Sequence, residues 1–172
     1  MKDLVQQYNK IQTVKQWYID SIKDLSETQF QDKKDEKTWS IAEVCYHMYL
    51  VENGTIKLIN KNLKEQKVNN KSTLENWIKN KLTILVLQLG IKFKAPKIVS
   101  EFPSNITQEE IITLFQQNTN DFTSILETLP KTLYDKQIFK HPMAGQFNIQ
   151  QTLNFSLEHY QHHQTQIKNL LR

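Results

Sequence analysis

The sequence predicts an all-α protein, an antiparallel four-helix bundle with an additional short helix and an ordered loop inserted between the second and third bundle helices. Apolar residues recur three or four positions apart over several long segments, as one buried helix face requires. Helix-capping patterns open most of these segments. Only 3 glycines and 4 prolines occur in 172 residues, which disfavours a turn-rich β fold. At this length we expect a single domain, 1–172, with a hydrophobic core of its own.

The first predicted helix runs from about Lys2 to Leu25 and ends near Ser26. It carries one apolar stripe, formed by Leu4, Tyr8, Ile11, Val14, Tyr18, Ile22 and Leu25. A charged loop over residues 31–37 follows it.

A capping box opens the second helix. Ser40 is followed three positions later by Glu43, and this pairing satisfies two backbone N–H groups at a helix start. The helix should extend to about Leu63. Its apolar stripe consists of Ile41, Val44, Met48, Val51, Thr55 and Ile59, with His47 at the edge.

The inserted helix is predicted after the capping pattern Ser72-Thr73-Leu74-Glu75. It should end at Gly90, because glycine is a common C-terminal cap. Its apolar residues are Leu74, Trp77, Ile78, Leu82, Leu85, Val86 and Leu89. Residues 91–103 contain two prolines, and we expect an ordered loop there, because the strand-like alternation of residues 91–94 has no partner strand.

The last two helices also begin with capping patterns. Thr107 and Glu110 open a helix that reaches about Leu129, and Asn148 with Gln151 opens one that reaches the C-terminus. Bundles of this type build ligand and metal sites from side chains on facing helices.

Composition excludes several classes of protein. The net charge is +4 and the pI about 9.0, but the lysines are scattered singly, so we expect no nucleic-acid partner. The longest apolar run, residues 84–87, is too short to cross a bilayer, and the first residues lack the apolar run typical of a signal peptide, so we expect neither feature. The one cysteine, Cys45, permits no intramolecular disulfide. We therefore expect a cytoplasmic protein with no membrane partner.

Three histidines are candidate metal ligands. His159 and His163 lie four positions apart, so both imidazoles can face one point on the last helix. A helical wheel places His163 inside the apolar stripe, His159 on its flank, and His162 toward solvent. An isolated pair of this kind is more often a polar flank and a hydrogen-bonded core histidine. His47 changes that balance, since it can reach the pair from a facing helix and complete a site for one divalent ion.

Two nearby features allow alternatives. The segment His141-Pro142-Met143-Ala144-Gly145 can line the rim of the site, or it can simply form a turn. We expect Glu43 to take part in the capping box. The less favoured alternative is that its carboxylate forms a hydrogen bond that orients the ring of His47.

These residues resemble a known family. Trp39-Ser40-Ile41-Ala42-Glu43 followed by His47, together with His141-Pro142, Gly145 and the ending from Glu158 to Ile167, is similar to the signature of the DinB-like superfamily. This superfamily of four-helix bundles includes bacillithiol transferases and many proteins described as metal-dependent hydrolases. The resemblance spans nearly the whole chain, and it implies that His47, His159 and His163 bind the metal. It implies no DNA binding.

Three functions remain open at this point. The first is an enzyme in which a divalent metal activates a small thiol for transfer to an electrophile. The second is a metal-dependent hydrolase of a small molecule. The third is a non-catalytic metal- or ligand-binding bundle, which a fourth ligand such as His141 would indicate. The metal can be zinc, nickel, manganese or iron, and a homodimer is expected only from base rates.

Overall fold

A computed structural model describes residues 4–71, 73–90, 96–142 and 144–172. Four long helices form the bundle, and each of the first two packs against both of the last two. A fifth helix packs outside the bundle, and one short helix precedes the second bundle helix. The all-α prediction is confirmed. The helices in chain order are α1 (Leu4–Ile22), α2 (Glu27–Gln31), α3 (Ile41–Lys64), α4 (Leu74–Gln88), α5 (Gln108–Thr128) and α6 (Ile149–Leu170).

The capping patterns place the helix starts as predicted. Ser40 accepts a hydrogen bond from the backbone N–H of Glu43, whose carboxylate accepts one from the N–H of Ser40. Thr107 and Asn148 form the same reciprocal boxes at the starts of α5 and α6. Each box satisfies backbone donors that have no partner inside the helix. These three helix starts follow from local sequence alone.

The first predicted helix is too long. It ends at Ile22, and Ser26 caps the short helix α2 with a box of its own. Because Ser26 is followed three positions later by Gln29, the sequence carried the signal for this second start.

Short strands and 3₁₀ turns occupy the connections. Strand β1 (Asn69–Lys71) pairs with β2 (Lys136–Gln137), and β3 (Phe139–His141) pairs with β4 (Gly145–Phe147), both antiparallel. The β3–β4 hairpin contains the His141-Pro142 segment. Gly145 has a φ of +82°, which favours glycine, and a Cβ there would lie 3.1 Å from Oδ1 of Asn76. Single turns of 3₁₀ helix cover Lys97–Val99 and Lys131–Leu133.

Helix α4 is present where predicted, with Thr73 as its N-cap and Gly90 at a φ of +67° after its end. Ser72 and the predicted loop at 91–95 lie outside the described residues. The apolar stripe of α4 is largely exposed, whereas Asn80 is buried beneath it. The side of α4 that faces the bundle contains the buried Asn80 and the partly buried Leu87, which packs against the core.

A buried ion pair lies among the four bundle helices. Lys15 Nζ is 2.8 Å from Glu52 Oε2, and the two side chains are only 3% and 4% exposed. Lys15 also donates to Thr119 Oγ1 and to a carbonyl of α5, while Glu52 accepts from the hydroxyl groups of Tyr8 and Tyr160. We call these five residues the Lys15–Glu52 cluster. It joins α1, α3, α5 and α6 at one point.

No helix within the described ranges combines the length and apolar character needed to cross a membrane.

Candidate metal centre

Two bundle helices bring three histidines together. His47 lies in the second turn of α3, and His159 and His163 lie on successive turns of α6. One potential ligand atom from each lies within 4.8 Å of the others. We call these residues the histidine cluster. It is the convergence that the helical wheel predicted.

The two histidines of α6 each place one imidazole nitrogen within hydrogen-bonding distance of the other. Nε2 of His159 lies 3.1 Å from Nε2 of His163. The ring of His47 lies across the bundle, 4.9 Å from the ring of His163 and 5.4 Å from that of His159 between centroids. The three rings meet edge to face, so their nitrogens surround a common point rather than stack.

Outer hydrogen bonds determine which nitrogen faces this point. Nδ1 of His47 lies 2.7 Å from the carbonyl oxygen of Val99, and Nδ1 of His163 lies 2.8 Å from Oε1 of Gln166. Both oxygens accept, so each Nδ1 must carry the proton and each Nε2 keeps its lone pair. Partners of this kind orient the histidines of metal sites. Nδ1 of His159 is shielded from solvent and has no hydrogen-bond partner.

Burial keeps the cluster neutral. It lowers the pKa of His47, and the hydrogen bond to Val99 offsets this only in part. Burial, followed by the nearby His47, lowers the pKa of His163 to about 3. Burial and then the neighbouring His163 hold the pKa of His159 well below its usual range. Neutral imidazole is the form that ligates a metal ion.

Aromatic rings enclose the histidines. Trp39 packs against His47 at 4.9 Å and stacks over His163 at 6.3 Å between ring centroids, and Trp39 and Phe102 pack edge to face. Phe155 stacks on His159, with ring centroids 5.4 Å apart. These apolar walls explain the burial of the histidines.

His141 stands apart from the cluster. Its Nδ1 accepts a hydrogen bond from the backbone N–H of Ala144, which closes the β3–β4 turn, and its ring stacks against Phe147 and packs edge to face on Phe155. Phe155 contacts both His141 and His159. Among the described residues His141 is not part of the candidate ligand group. The described residues of this segment form the connection between β3 and β4, and Phe155 links His141 to His159.

The structure corrects the predicted orientation of His162 and decides between the two roles considered for Glu43. His162 does not point into solvent, because α4 docks on that side and its Leu87 carbonyl lies 3.0 Å from Nδ1 of His162. A helical wheel considers one helix alone, so it cannot show which of its residues contact a neighbouring helix. Glu43 serves the capping box and pairs with Lys33 at 2.6 Å, while the outer partner of His47 is Val99.

Sequence reasoning overlooked the Lys15–Glu52 cluster. Lys15 falls between Ile11 and Tyr18 in the stripe of α1, at the spacing of a buried position. Glu52 likewise falls between Met48 and Thr55 in α3, and Glu52 is buried whereas Val51 of the predicted stripe is only half-buried. A charged residue at a core position of each of two helices was a signal for a buried pair.

Comparison with known families adds an independent finding. The model of the DinB superfamily matches residues 13–167, which include all three histidines and both of their helices. The chain belongs to the DinB superfamily. No match to the chain was found among curated proteins or among solved structures. Membership in the DinB superfamily agrees with the bundle and with the resemblance found in the sequence.

Proposed function

We propose that His47, His159 and His163 hold one divalent metal ion, and that this DinB protein is an enzyme that transfers a small thiol to an electrophile. The observation that carries the proposal is the pair of outer hydrogen bonds. Val99 and Gln166 occupy the Nδ1 atoms of His47 and His163, which leaves the Nε2 lone pairs directed at a shared point.

The residues fit a metal ion on chemical grounds. Zinc and similar ions take imidazole nitrogen at ~2.0–2.1 Å, so the 3.1 Å between the Nε2 atoms of His159 and His163 is short enough for one ion to contact both. All-nitrogen donor sets suit zinc, nickel and iron, and manganese is a further candidate. The three neutral rings bring no charge of their own that would repel a cation.

Three protein ligands support a catalytic rather than a structural site, since structural zinc sites usually have four. A divalent ion bound there would stabilise the thiolate form of a small thiol near neutral pH, or lower the pKa of water to about 7. The chain itself contributes neutral ligands and an apolar surround. Trp39 and Phe155 limit water beside the histidines, which strengthens electrostatic interactions in the site.

The first experiment measures metal binding. Protein purified without chelator or nickel resin is expected to bind about one divalent ion per chain after reloading with zinc, nickel, manganese or iron. His163→Ala should bind at least ~100-fold more weakly, a larger loss than removal of an outer partner usually causes. His162→Ala is the matched control on the same helix and should keep the metal. Equal loss in both variants would contradict the ligand assignment.

The second experiment addresses the reaction. Cobalt-substituted protein should change its visible spectrum when bacillithiol, coenzyme A, glutathione or cysteine is added, because thiolate is a strong, soft ligand. The same thiol should be consumed with monochlorobimane by the native-metal protein and not by His47→Ala. A spectrum indifferent to every thiol, without thiol consumption, would favour hydrolysis or a non-catalytic role. Undiminished activity in His47→Ala would separate the chemistry from the histidine cluster.

A further inference from the structure

A cleft lies between α4 and the first turns of α6. We call it the α4–α6 cleft. Its volume is about 530 Å³, which is within the range of small-molecule sites. Among the described residues that line it, Lys81 is the only charged one, and side-chain amides form much of the wall. The amides belong to Asn80, Asn148, Gln150, Gln151 and Asn154.

Two parallel helices begin at this cleft. Thr73 is the N-cap of α4 and Asn148 is the N-cap of α6, and both line the cleft. The Leu87 carbonyl lies 3.0 Å from Nδ1 of His162, and these two residues are equally far from their own N-caps. The helices therefore run side by side in the same direction. This arrangement places the positive ends of two helix dipoles together, which favours an anion between them.

Acidic side chains do not neutralise the two helix starts. The first turn of α6 contains none. The first turn of α4 contains Glu75, which pairs with Lys79 and does not line the cleft. Lys81 adds a positive charge, with its Nζ 5.8 Å from the centroid of the Trp77 ring. We therefore expect a positive electrostatic potential in the cleft.

A buried hydrogen-bond donor in the wall of the cleft has no acceptor. Asn80 is only 3% exposed, and its Nδ2 meets no hydrogen-bond partner among the described residues. Buried donors are normally paired, because a donor that loses water without gaining an acceptor destabilises the fold. An oxygen atom of a ligand in the cleft would supply the missing acceptor.

A chain of amides orients a second donor. Nε2 of Gln150 donates to Oε1 of Gln7 on α1, and Nε2 of Gln7 donates to Oδ1 of Asn154. The oxygen of the Asn154 amide is thereby turned toward α1. Its NH₂ group, which can only donate, is the part of this amide that a ligand in the cleft would meet.

We propose that the α4–α6 cleft binds a small organic oxyanion. Its carboxylate or phosphate group accepts from Nδ2 of Asn80 and pairs with Lys81 beside the two helix starts. Its apolar part packs on the Trp77 ring, which is 51% exposed. The cleft is separate from the histidine cluster, because Asn154 and His163 are about two and a half turns apart and so lie on opposite sides of α6.

Titration of the isotope-labelled full chain with inorganic phosphate, phenyl phosphate or benzoate, followed by heteronuclear NMR, tests the location. The side-chain amide signal of Asn80 should shift with all three anions, and the indole signal of Trp77 with the two aromatic ones. Trp39 packs against the histidine cluster and serves as the internal control. A shift at Trp39 without one at Asn80 would place the anion at the histidine cluster and overturn the proposal.

Substitutions in α4 test the contacts. Lys81→Gln should raise the Kd for phenyl phosphate by about 10-fold, because a charge-assisted hydrogen bond is lost. Lys79→Gln is the matched control, since Lys79 pairs with Glu75 outside the cleft, and its Kd should change by less than about 2-fold. Asn80→Asp sets a carboxylate against the ligand and should abolish binding, with circular dichroism to verify the fold. Lys81→Gln replaces no buried residue and keeps the test decisive if Asn80→Asp does not fold.

Comparison of the three anions identifies the ligand class. Phenyl phosphate should bind more tightly than inorganic phosphate, and Trp77→Ala should remove that advantage. The ratio of the affinities for benzoate and phenyl phosphate then shows whether the cleft prefers a carboxylate or a phosphate. Two results would overturn the proposal: no shift at Asn80 with any anion up to about 10 mM, or equal weakening in Lys79→Gln and Lys81→Gln.

Discussion

The bundle contains two buried polar clusters that share α3 and α6 but differ in one respect. In the Lys15–Glu52 cluster, the ammonium group donates to three oxygens and the carboxylate accepts from three donors. In the histidine cluster, three neutral rings bring one nitrogen each within 4.8 Å of the others, and Nε2 of His159 lies 3.1 Å from Nε2 of His163. The first cluster is complete within the protein. In the second, Nδ1 of His159 has no hydrogen-bond partner among the described residues.

This difference assigns them different roles. A buried ion pair with all its hydrogen bonds made favours one arrangement of the helices that carry it. Glu52 lies five residues after His47, and Tyr160 lies beside His159, so the same arrangement positions the histidine cluster. The charged cluster is therefore a scaffold for the neutral one. Each of the following predictions tests that division.

Breaking the ion pair should have the largest effect. Lys15→Met leaves Glu52 buried without its cation, and we expect the free energy of unfolding to fall by about 3–5 kcal/mol. Urea denaturation followed by circular dichroism at pH 7 measures it. The double variant Lys15→Met/Glu52→Leu should recover most of the loss. If the double variant is as unstable as the single one, the cluster does not act as a pair.

Lowering the pH should reduce the stability of the fold through the histidine cluster. An unfolded histidine takes up a proton near pH ~6.5, whereas folded His163 stays neutral until its pKa of about 3. The unfolded state therefore binds more protons in this interval, and stability decreases as the pH falls below ~6.5. Between pH 7 and pH 5, His163 alone accounts for about 2 kcal/mol.

Urea denaturation of chelator-treated protein at both pH values measures this loss. In His163→Leu the loss should be smaller by about 2 kcal/mol, because the titrating group is gone. An identical pH dependence in both proteins would show that His163 is not buried as a neutral ring.

Removing an outer partner should have the smallest effect. Gln166→Leu deletes the acceptor that orients His163, and we expect metal affinity to fall by about 10-fold, about 1.4 kcal/mol. Competition with a chromogenic chelator measures it. Gln166→Glu keeps an acceptor oxygen and should restore binding, while Gln164→Leu on the same helix should have no effect. Equal weakening in both leucine variants would show that the loss does not come from the hydrogen bond between Gln166 and His163.

The bundle helices could be predicted because their signals are local. The capping boxes at Ser40, Thr107 and Asn148 and the apolar spacing depend on neighbours in sequence. The histidine cluster could be predicted to the extent that it depends on helix faces, which is why His159 and His163 were separated from His162.

What could not be predicted depends on docking between elements. Periodicity showed that α4 has an apolar side, but not that this side faces outward, because spacing does not say what a face meets. The same limit applies to His162, which lies against Leu87, and to Val99, whose carbonyl comes from a segment far along the chain. The burial of Lys15 and Glu52 becomes evident only when two stripes are compared.

The contact between His47 and Val99 has a consequence for experiments that survey substitutions. The acceptor is a backbone carbonyl, which every amino acid supplies. Replacing Val99 with alanine leaves that oxygen in place. An alanine scan would therefore find no effect at this position, although the orientation of the His47 ring depends on the carbonyl oxygen there. The path of the backbone, rather than the side chain at that position, is what natural variation must preserve.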